Sequence, residues 1–387
     1  MMKAHKIRLH PTPEQATYFA KAAGTSRFVW NWALAEWNRQ YEAGEKPTAL
    51  KLKKHFNQIR REQFPWTWDV TKNACDQPFL DLGKAFTAFF EGKARRPKFK
   101  SKKKTCPSFY LANDQFELAD HRVWIPKLGW VNMAENLRFK GKITGARITH
   151  VADWWFLSIT VELEGKIPEK KPKSVGLDVG LNRLATLSTG EGCENQRFLK
   201  TALRNLRKAQ KHLSRCKKGS KNREKARCNV ARLYYKITCL RDDVLHKLTT
   251  TLAHEYGLIG VETLHLKNLM KNRALARSFS DAALGKLLSL LTSKVSAQGG
   301  MIVKVDRFFP STQRCHCCGW RWHDITLSDR VFVCQSPTCA MSGVRQDRDE
   351  NAAKNILQEA LRLISLVDQA VFGSGSDETL KTPADLG

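Results

Sequence analysis

The stretch SVGLDVGLNRLAT, residues 174–186, combines an apolar strand, a tight turn and a second strand. Its single acid, Asp178, ends the first strand and enters a turn with a glycine on either side. A lone acid in such a place is most often a turn former, because its side chain can bond to its own backbone. Its importance therefore depends on whether other acids occupy matching positions in the chain.

Two further acids do occupy such positions. Glu262 ends the buried strand LIGVE, and Asp349 opens the helix DENAAKNI. Acids at the ends of adjacent strands, completed by one from the start of a helix, can hold two divalent cations about 4 Å apart. Hard cations such as Mg²⁺ bind carboxylate oxygens. The three acids therefore indicate phosphodiester hydrolysis, in which one cation activates water and the other stabilises the leaving oxygen.

The charge of the chain indicates its partner. Among 387 residues, Lys and Arg number 66 against 37 Asp and Glu, which gives a formal net charge of +29. Such a surface repels itself unless a polyanion neutralises it, so nucleic acid is the expected counterpart. The longest apolar runs are too short to span a bilayer, and the opening residues lack the apolar stretch of a secretory signal. We therefore expect a soluble protein of the cell interior with no membrane partner.

Small residues flank the acids. We expect Gly176 and Gly180 to let a nucleic acid backbone approach closely, because glycine has no side chain in the way. We expect Ala352 and Ala353 to let the C-terminal helix pack tightly on the sheet. Both expectations place the acids where a substrate strand can reach them.

A cysteine-rich segment lies between the second and third acids. Cys315 and Cys318 have the spacing C-x2-C, and Cys334 and Cys339 have the spacing C-x4-C. Two short-spaced pairs can bring four thiolates around one tetrahedral ion, which predicts one structural Zn²⁺. Four protein ligands leave no open coordination position, so this ion would stabilise the fold and take no part in catalysis.

Two neighbouring residues leave the zinc ligand set open. We interpret Cys317 as a spectator, because adjacent cysteines make a poorer chelate turn than the C-x2-C spacing. The sequence does not decide whether Cys317 or His316 joins the site. The other cysteines of the chain are scattered and are expected to be ordinary small side chains.

The rest of the pattern divides the chain into several parts. The opening KAHKIRLHP reads as a strand, and residues 107–163 read as short strands that include WVNM, LRFKG and GARITHV. They predict a small barrel, which the opening strand could join. Between the opening strand and these strands, a capping box at Thr12 and Gln15 and the helical spacing of apolar residues up to about Gly92 predict helices. Residues 165–173 are predicted to be a linker, and residues 196–256 a two-helix hairpin broken at KKGSKN.

The motifs resemble a known family when they are taken in order. GLDVGLNRLAT, GVETLHLKNL, the cysteine segment and DRDENAAKNI resemble the three motifs of a RuvC-like nuclease domain with an inserted zinc ribbon. Together with the opening KIRLHPTPEQ and RFVWNWAL, residues 3–365 resemble the TnpB family of transposon-encoded RNA-guided DNA endonucleases, which are related to type V CRISPR effectors. One departure is the C-x4-C pair, where many relatives have C-x2-C, and it implies a wider knuckle.

The resemblance implies an α/β multi-domain fold. The implied domains are a β-barrel wedge domain at residues 1–11 and 105–168, a helical recognition lobe at 12–104, an RNase H-like (RuvC) nuclease domain with an inserted helical hairpin at 169–310 and 346–370, a zinc ribbon at 311–345, and a disordered tail at 371–387.

The resemblance also implies an activity. The protein would use a guide RNA from the transposon end, recognise a short target-adjacent motif in double-stranded DNA, and cleave DNA by a two-metal mechanism. Asp178, Glu262 and Asp349 would be the catalytic acids and would hold two Mg²⁺, or Mn²⁺ in vitro. Asp349 is chosen over Asp347 because the family pattern places the ligand two residues before the Asn of NAA. A monomer or weak dimer in the cytoplasm of a bacterium or archaeon, associated with the nucleoid, is implied.

Several nucleic-acid contacts are implied more loosely. Gln77 aligns with a glutamine that in relatives helps to read the flanking DNA motif, and Lys72 and Asn73 lie one helical turn earlier. Arg348 is either a phosphate clamp or a surface cation. The basic run at residues 93–104 either lies near RNA or duplex or is a solvated loop. The tryptophans at helical spacing are expected to be core residues more often than stacking platforms; they are Trp30, Trp32 and Trp37.

Two other functions remain open from the sequence. The first is a guide-dependent DNA-binding repressor without cleavage, but such relatives usually lose one or more of the acids. The second is a transposase or its accessory protein, but no tyrosine or serine nucleophile motif is found. The retention of all three acids favours the endonuclease.

Overall fold

The computed structural model describes residues 1–164, 171–326 and 328–373. The chain divides into two compact units. Unit 1 is Met1–Gly165 with Cys216–Tyr235, and unit 2 is Lys166–Arg215 with Lys236–Gly387. Most of the predicted linker at 165–173 and of the predicted tail at 371–387 lies outside the described residues. The finer division into wedge, recognition lobe, nuclease domain and zinc ribbon stays a prediction.

Unit 1 contains a helical layer that follows its first strand. Its helices are α1 (Pro13–Glu42), α2 (Ala49–Gln63) and α3 (Asn73–Phe90), with a 3-10 helix at Pro65–Asp69 between the last two. The predicted capping box begins α1, since Gln15 N donates to Thr12 Oγ1 at 3.2 Å and Thr12 N donates to Gln15 Oε1 at 3.0 Å. Trp30 and Trp37 are buried and Trp32 packs beside them, so the interpretation of the tryptophans as core residues is confirmed.

A seven-stranded sheet forms the other layer of unit 1. Its strands are β1 (Met2–His10), β2 (Ser108–Ala112), β3 (Glu117–Ala119), β4 (Arg122–Ile125), β5 (Gly129–Met133), β6 (Lys142–Val151) and β7 (Trp154–Glu162). Their order is β2-β6-β7-β1-β5-β4-β3, so the opening strand joins the sheet as predicted, between β7 and β5. Within residues 1–164, no ladder pairs the edge strands β2 and β3, so closure into a barrel stays a prediction.

The predicted strand LRFKG, residues 137–141, is wrong. The segment is irregular, although Leu137 and Phe139 pack against the sheet core in the alternation that suggested a strand. The backbone N–H of Arg138 donates to the ring Nδ1 of His5 at 3.3 Å and not to a backbone carbonyl of a neighbouring strand. In this segment the side chains therefore alternate between half-buried and exposed although its backbone pairs with no strand among the described residues.

Unit 2 is built on a five-stranded mixed sheet. Its strands are β8 (Ser174–Asp178), β9 (Arg183–Leu187), β10 (Gly192–Glu194), β11 (Leu258–Glu262) and β12 (Met301–Val305), in the order β10-β9-β8-β11-β12. The pairs among β10, β9 and β8 are antiparallel, and the pairs among β8, β11 and β12 are parallel. A small hairpin follows, formed by β13 (Val331–Val333) and β14 (Arg345–Asp347).

The remaining helices are α4 (Phe198–Arg215), α5 (Lys221–Glu255), α6 (Leu266–Leu269), α7 (Ala276–Ala282), α8 (Leu284–Ala297) and α9 (Arg348–Gly373). The predicted break of the hairpin at KKGSKN separates α4 from α5. Helix α5 starts in unit 1 and ends in unit 2. None of the described helices is long and apolar enough to cross a membrane.

Glycines seat α9 directly on the sheet of unit 2. A Cβ at Gly176 would overlap the carbonyl oxygen of Ala353 and lie 2.7 Å from Leu357 N, and a Cβ at Gly260 would lie 2.8 Å from the Cβ of Ala360. Our expectation that Gly176 faces a nucleic acid backbone is therefore wrong, because the close approach there is made by α9. The expected tight packing of Ala352 and Ala353 is confirmed, since both are fully buried.

Candidate functional site

Two of the predicted acids end neighbouring parallel strands. In the ladder between β8 and β11, the last paired residues are Leu177 and Val261. Asp178 and Glu262 each follow one residue later and are the final residues of their strands. The two carboxylates therefore leave the sheet at the same edge, on strands that lie about 4.8 Å apart. The carboxyl edge of the parallel strands is where open α/β sheets usually bind ligands.

The third acid comes from the first turn of α9. Asp347 Oδ1 accepts hydrogen bonds from the backbone N–H groups of Asp349 at 2.9 Å and Glu350 at 3.1 Å, so Asp347 caps the helix. Asp347 Oδ2 lies 3.2 Å from Arg183 Nη1. Asp347 therefore caps the helix, and the charge of Asp349 is among those that raise the pKa of Asp178.

Electrostatics couple the acids, which we call the acidic cluster: Asp178, Glu262 and Asp349. Burial and, after it, the charges of Asp349 and Glu262 raise the pKa of Asp178 to about 7, whereas the charge of Arg348 opposes the shift. Burial also raises the pKa of Glu262, against a hydrogen bond from Ser311. Within the part of the chain that the structure describes, the oxygens of the acidic cluster do not all lie within 4.8 Å of one another.

Asp178 and Asp349 line a cleft of about 880 Å³ in unit 2. Seven basic side chains line the same space: Arg183, Arg197, Lys200, Arg273, Arg277, Arg330 and Arg348. Positive charge along a cleft favours the binding of a phosphodiester backbone. A polyanion bound in this basic cleft would lie next to two carboxylates, and divalent cations between them would reduce the repulsion.

Arg348 is buried, with 8% of its surface exposed. Its Nη1 donates to the carbonyl oxygen of Thr326 at 3.1 Å, and its Nη2 lies 3.4 Å from Asp349 Oδ1. The interpretation of Arg348 as a surface cation is therefore wrong. The phosphate-clamp interpretation stays a prediction, and the contact with Asp349 gives Arg348 a role in holding that carboxylate.

The predicted zinc ligands meet in space, and we call them the cysteine cluster: Cys315, Cys318, Cys334 and Cys339. Their sulfur atoms all lie within 4.8 Å of one another. Cys315 Sγ is 3.9 Å from Cys339 Sγ, and Cys318 Sγ is 3.6 Å from Cys334 Sγ. Zn–S bonds of about 2.3 Å in a tetrahedron separate the sulfurs by about 3.8 Å, so the donor set fits one Zn²⁺.

The wider C-x4-C pair still forms a compact knuckle. Cys339 N donates to the carbonyl oxygen of Ser336 at 3.1 Å, which closes a turn across the extra residues. Backbone N–H groups also point at the sulfurs, since Met341 N lies 3.3 Å from Cys339 Sγ and Trp320 N lies 3.4 Å from Cys318 Sγ. Such donors stabilise thiolates.

Neither neighbour of the first pair joins the cysteine cluster. The ring Nδ1 of His316 lies 3.0 Å from Asn351 Oδ1, and the side chain of Cys317 is exposed. The four-cysteine grouping is the one that has its donor atoms together among the described residues. The interpretation of Cys317 as a spectator therefore agrees with the geometry.

Two asparagines of the DENAAKNI motif have a structural role that was not predicted. Asn351 and Asn355 are each 1% exposed and both donate to the carbonyl oxygen of Arg314, at 2.7 Å and 2.6 Å. Asn355 also donates to the carbonyl oxygen of Ser311 at 2.8 Å. They tie α9 to residues 311–316, which we call the bridging segment. Their spacing of four residues, on the face of α9 that also carries Ala352 and Ile356, was the available signal.

In unit 1, the predicted DNA-motif residues lie at the start of α3. Gln77 Nε2 donates to Asp81 Oδ1 at 2.8 Å, and Asp81 Oδ2 accepts from Arg147 Nη2 at 3.1 Å, so Gln77 is already engaged with protein. Lys72 is exposed and lines a cavity of about 560 Å³. Asn73 is half-buried.

The basic run is anchored to α1 through its central residues. Trp30 Nε1 donates to the carbonyl oxygen of Lys98 at 3.0 Å, and Lys100 N donates to Asn31 Oδ1 at 2.7 Å. The ammonium of Lys100 also lies 3.6 Å from the centre of the Trp30 ring. The alternative of a loop without contacts to the rest of the protein is therefore wrong for residues 98–100, while a role near nucleic acid stays a prediction.

Three family models match the chain. One described as "Probable transposase", of the IS605 OrfB type, matches residues 158–273. A Cas12f1-like TNB domain matches residues 285–356, which contain the cysteine cluster. A helix-turn-helix domain matches residues 1–46, where the structure has β1 and the single helix α1.

Whole-chain relatives carry names of one kind. "Putative RNA-guided DNA endonuclease" of Streptomyces pristinaespiralis is 34% identical over 93% of this chain and 89% of its own length. "Putative RNA-guided DNA endonuclease InsQ" of Escherichia coli (strain K12) is 30% identical over 92% of this chain and 92% of its own length. The similarity therefore extends through both units.

A solved structure shares the fold. It is described as "Cryo-EM structure of the Cas12f1-sgRNA-target DNA complex", and it matches with a TM-score of 0.58 at 12% identity, over 92% of this chain and 98% of that chain. The chain therefore has a Cas12f1-like α/β fold.

Proposed function

This chain belongs to the TnpB family, the IS605 OrfB proteins, and we propose that it is an RNA-guided DNA endonuclease that cleaves DNA in the basic cleft of unit 2. Relatives of nearly the same length, named for this activity, support the proposal. One observation supports it most: Asp178, which ends β8, and Asp349, in the first turn of α9, line a cleft together with seven basic side chains, and Glu262 ends the strand beside β8.

The nuclease domain is proposed to be RNase H-like, of the RuvC type. Support comes from the strand order of unit 2, in which three antiparallel strands continue into two parallel ones. The acids stand at the ends of its two central parallel strands, and α9 lies across these strands at Gly176 and Gly260. Residues 311–345 are proposed to be the zinc ribbon inserted into this domain.

The acidic cluster would hold two Mg²⁺, since its donors are carboxylates and since burial, together with the charges of Asp349 and Glu262, raises the pKa of Asp178 to about 7. When bound, such ions activate water and stabilise the leaving oxygen. Arg348 offsets part of the negative charge of Asp349 and helps to hold it. The other basic residues of the cleft bind the phosphates of the strand and keep it against the acids.

The cysteine cluster would hold one structural Zn²⁺, as the spacing of its sulfurs supports. A guide RNA from the transposon end and a double-stranded DNA target are the proposed partners. Lys72, Asn73 and Gln77 are proposed to contact the target-adjacent motif, since they lie at the start of α3, where Lys72 lines a cavity that Arg60 and Lys127 also line.

The test is plasmid cleavage with the copurified RNA. The full chain is purified with its bound RNA, the RNA is sequenced, and a plasmid that carries the matching target is incubated with Mg²⁺. We expect the wild-type protein to cut and Asp178→Ala to bind the target without cutting. Equal cutting by both proteins would overturn the assignment of the acids, and target binding with no cutting by the wild type would favour the repressor.

A further inference from the structure

Ser311 contacts one member of the acidic cluster. Its hydroxyl donates to Glu262 Oε1 at 2.9 Å. Ser311 is 2% exposed, so this hydrogen bond is shielded from water. Glu262 is the last residue of β11 and reaches the cluster through three rotatable side-chain bonds, so its carboxylate can adopt several orientations unless a neighbour fixes it.

Ser311 is itself fixed by α9. The buried side chain of Asn355 donates to the carbonyl oxygen of Ser311 at 2.8 Å and to that of Arg314 at 2.6 Å. Asn351, one turn earlier, donates to the same carbonyl of Arg314 at 2.7 Å. The helix that supplies Asp349 therefore also determines where the hydroxyl of Ser311 stands.

We propose that Ser311, held by Asn355, is a positioning residue that orients the carboxylate of Glu262 toward Asp178 and Asp349. The proposal rests on the proposed function, in which the acidic cluster holds divalent cations. If so, α9 positions two of the three carboxylates. It carries Asp349 itself, and it positions Glu262 through Asn355 and Ser311. Hydrogen bonds that hold metal-binding carboxylates typically matter by about 10- to 100-fold in metal affinity.

The test measures Mn²⁺ binding by titration calorimetry on the full chain with its copurified RNA. The triple variant Asp178→Ala, Glu262→Ala, Asp349→Ala serves as the blank for Mn²⁺ bound by RNA. We expect Ser311→Ala to bind Mn²⁺ about 10-fold more weakly than the wild type. Ser311→Thr, which keeps the hydroxyl, is expected to restore most of the affinity.

A matched control is Gln358→Ala. Gln358 also donates from α9 to the bridging segment, to the carbonyl oxygen of His316 at 2.7 Å, but it is exposed and its bond lies beyond Cys315. We expect Gln358→Ala to bind Mn²⁺ as the wild type does. Melting temperature and zinc content are measured for every variant, and both are expected to be unchanged in Ser311→Ala, so that weaker binding is not a result of unfolding.

A double-mutant cycle separates positioning from a general structural effect. If Ser311 acts through Glu262, Ser311→Ala causes no further loss of Mn²⁺ binding when it is added to Glu262→Ala. Unchanged binding in Ser311→Ala, or an equal loss with and without Glu262, overturns the positioning role alone. Wild-type binding no stronger than the blank overturns the proposed function itself, so the two failures are distinguishable.

Discussion

Gly176 of β8 lies directly beneath Ala353 of α9, at a separation too small for any side chain between them. Asp178 is two residues from Gly176, and Asp349 is four residues from Ala353. The contact therefore sets the distance between the strand end and the helix start that carry these two acids. Packing, and not any bond between the acids, brings their charges together.

Gly176→Ala should destabilise the protein and abolish cleavage although no acid is removed. The new methyl group would overlap the backbone of α9, and such overpacking costs about 1–3 kcal/mol. Thermal denaturation and plasmid cleavage test this. The control is Gly24→Ala in α1, where an added Cβ has no atom within 4 Å and alanine favours the helix. A Gly176→Ala protein that melts and cuts like the wild type would contradict the packing argument.

Asp349→Asn and Asp347→Asn should differ sharply. The first removes a carboxylate of the acidic cluster, so we expect cleavage to fall at least about 1,000-fold, as for loss of other catalytic groups. The second keeps a side-chain oxygen that can still accept the N–H groups at the start of α9, so we expect only a small loss. Single-turnover cleavage rates at saturating Mg²⁺ compare the two. The reverse order of effects would show that Asp347 is the ligand.

Cys315→Ser should lose the metal of the cysteine cluster, whereas Cys317→Ser should keep it. Binding of a structural ion stabilises the folded state, so its loss lowers the melting temperature. Elemental analysis and thermal denaturation measure both effects, and Cys317 is the matched control because its side chain is exposed beside the cluster. Equal zinc content in the two variants would refute the four-cysteine site.

Glu36→Gln should destabilise the protein at neutral pH and much less in acid. Hydrogen bonds from Arg39 lower the pKa of Glu36 to about 2, and Gln40 and His55 assist. Because the folded-state pKa is lower than the unfolded value, the stabilisation is present above about pH 4.5 and is lost as the pH falls toward 2. We expect a loss of about 1–2 kcal/mol at pH 7. Urea denaturation at several pH values checks whether the difference narrows.

Lys72→Ala and Gln77→Ala should affect DNA binding in different ways. A lysine that contacts phosphate contributes to every sequence alike, so its loss weakens binding generally and reduces the salt dependence. A glutamine that reads a base edge contributes about 1–3 kcal/mol to discrimination, so its loss relaxes the motif. Binding to a library of flanking sequences measures both. Because Gln77 bonds to Asp81, Asp81→Ala is the control for disturbance of the helix surface.

The positions of Asp178 and Glu262 at strand ends and the meeting of the four cysteines could be predicted because their signals are local. Asp178 and Glu262 each end an apolar strand, and the paired cysteines have short spacings, so neither needs knowledge of the tertiary structure. The role of Gly176 in the packing of α9 could not be predicted, because it depends on which helix crosses β8. The same is true of Asn355, whose partners are backbone carbonyls 41 and 44 residues away.

Strands could be predicted where a segment with alternating apolar and polar residues also had a neighbouring strand to pair with. The alternating residues of β1 predicted a strand, and β1 pairs with β7 and β5. Residues 137–141 show the same alternation, but a backbone donor of this segment is used by His5, so no strand forms. Alternation of apolar and polar residues predicts which side chains are buried. It does not predict which groups the backbone N–H and C=O groups bond to.

The packing of α9 restricts which changes its sequence can accept. Asp349 at the first turn, Asn351 and Asn355 toward the bridging segment, and Ala353 over Gly176 all depend on one rotational setting of a single helix. Inserting or deleting one codon between them would turn everything beyond it by about 100°. Single substitutions at exposed positions of this helix can be tolerated, whereas a change in its length would misalign Asp349, the bridging segment and the sheet together. Related sequences should therefore differ at the exposed positions of this motif and rarely in its spacing.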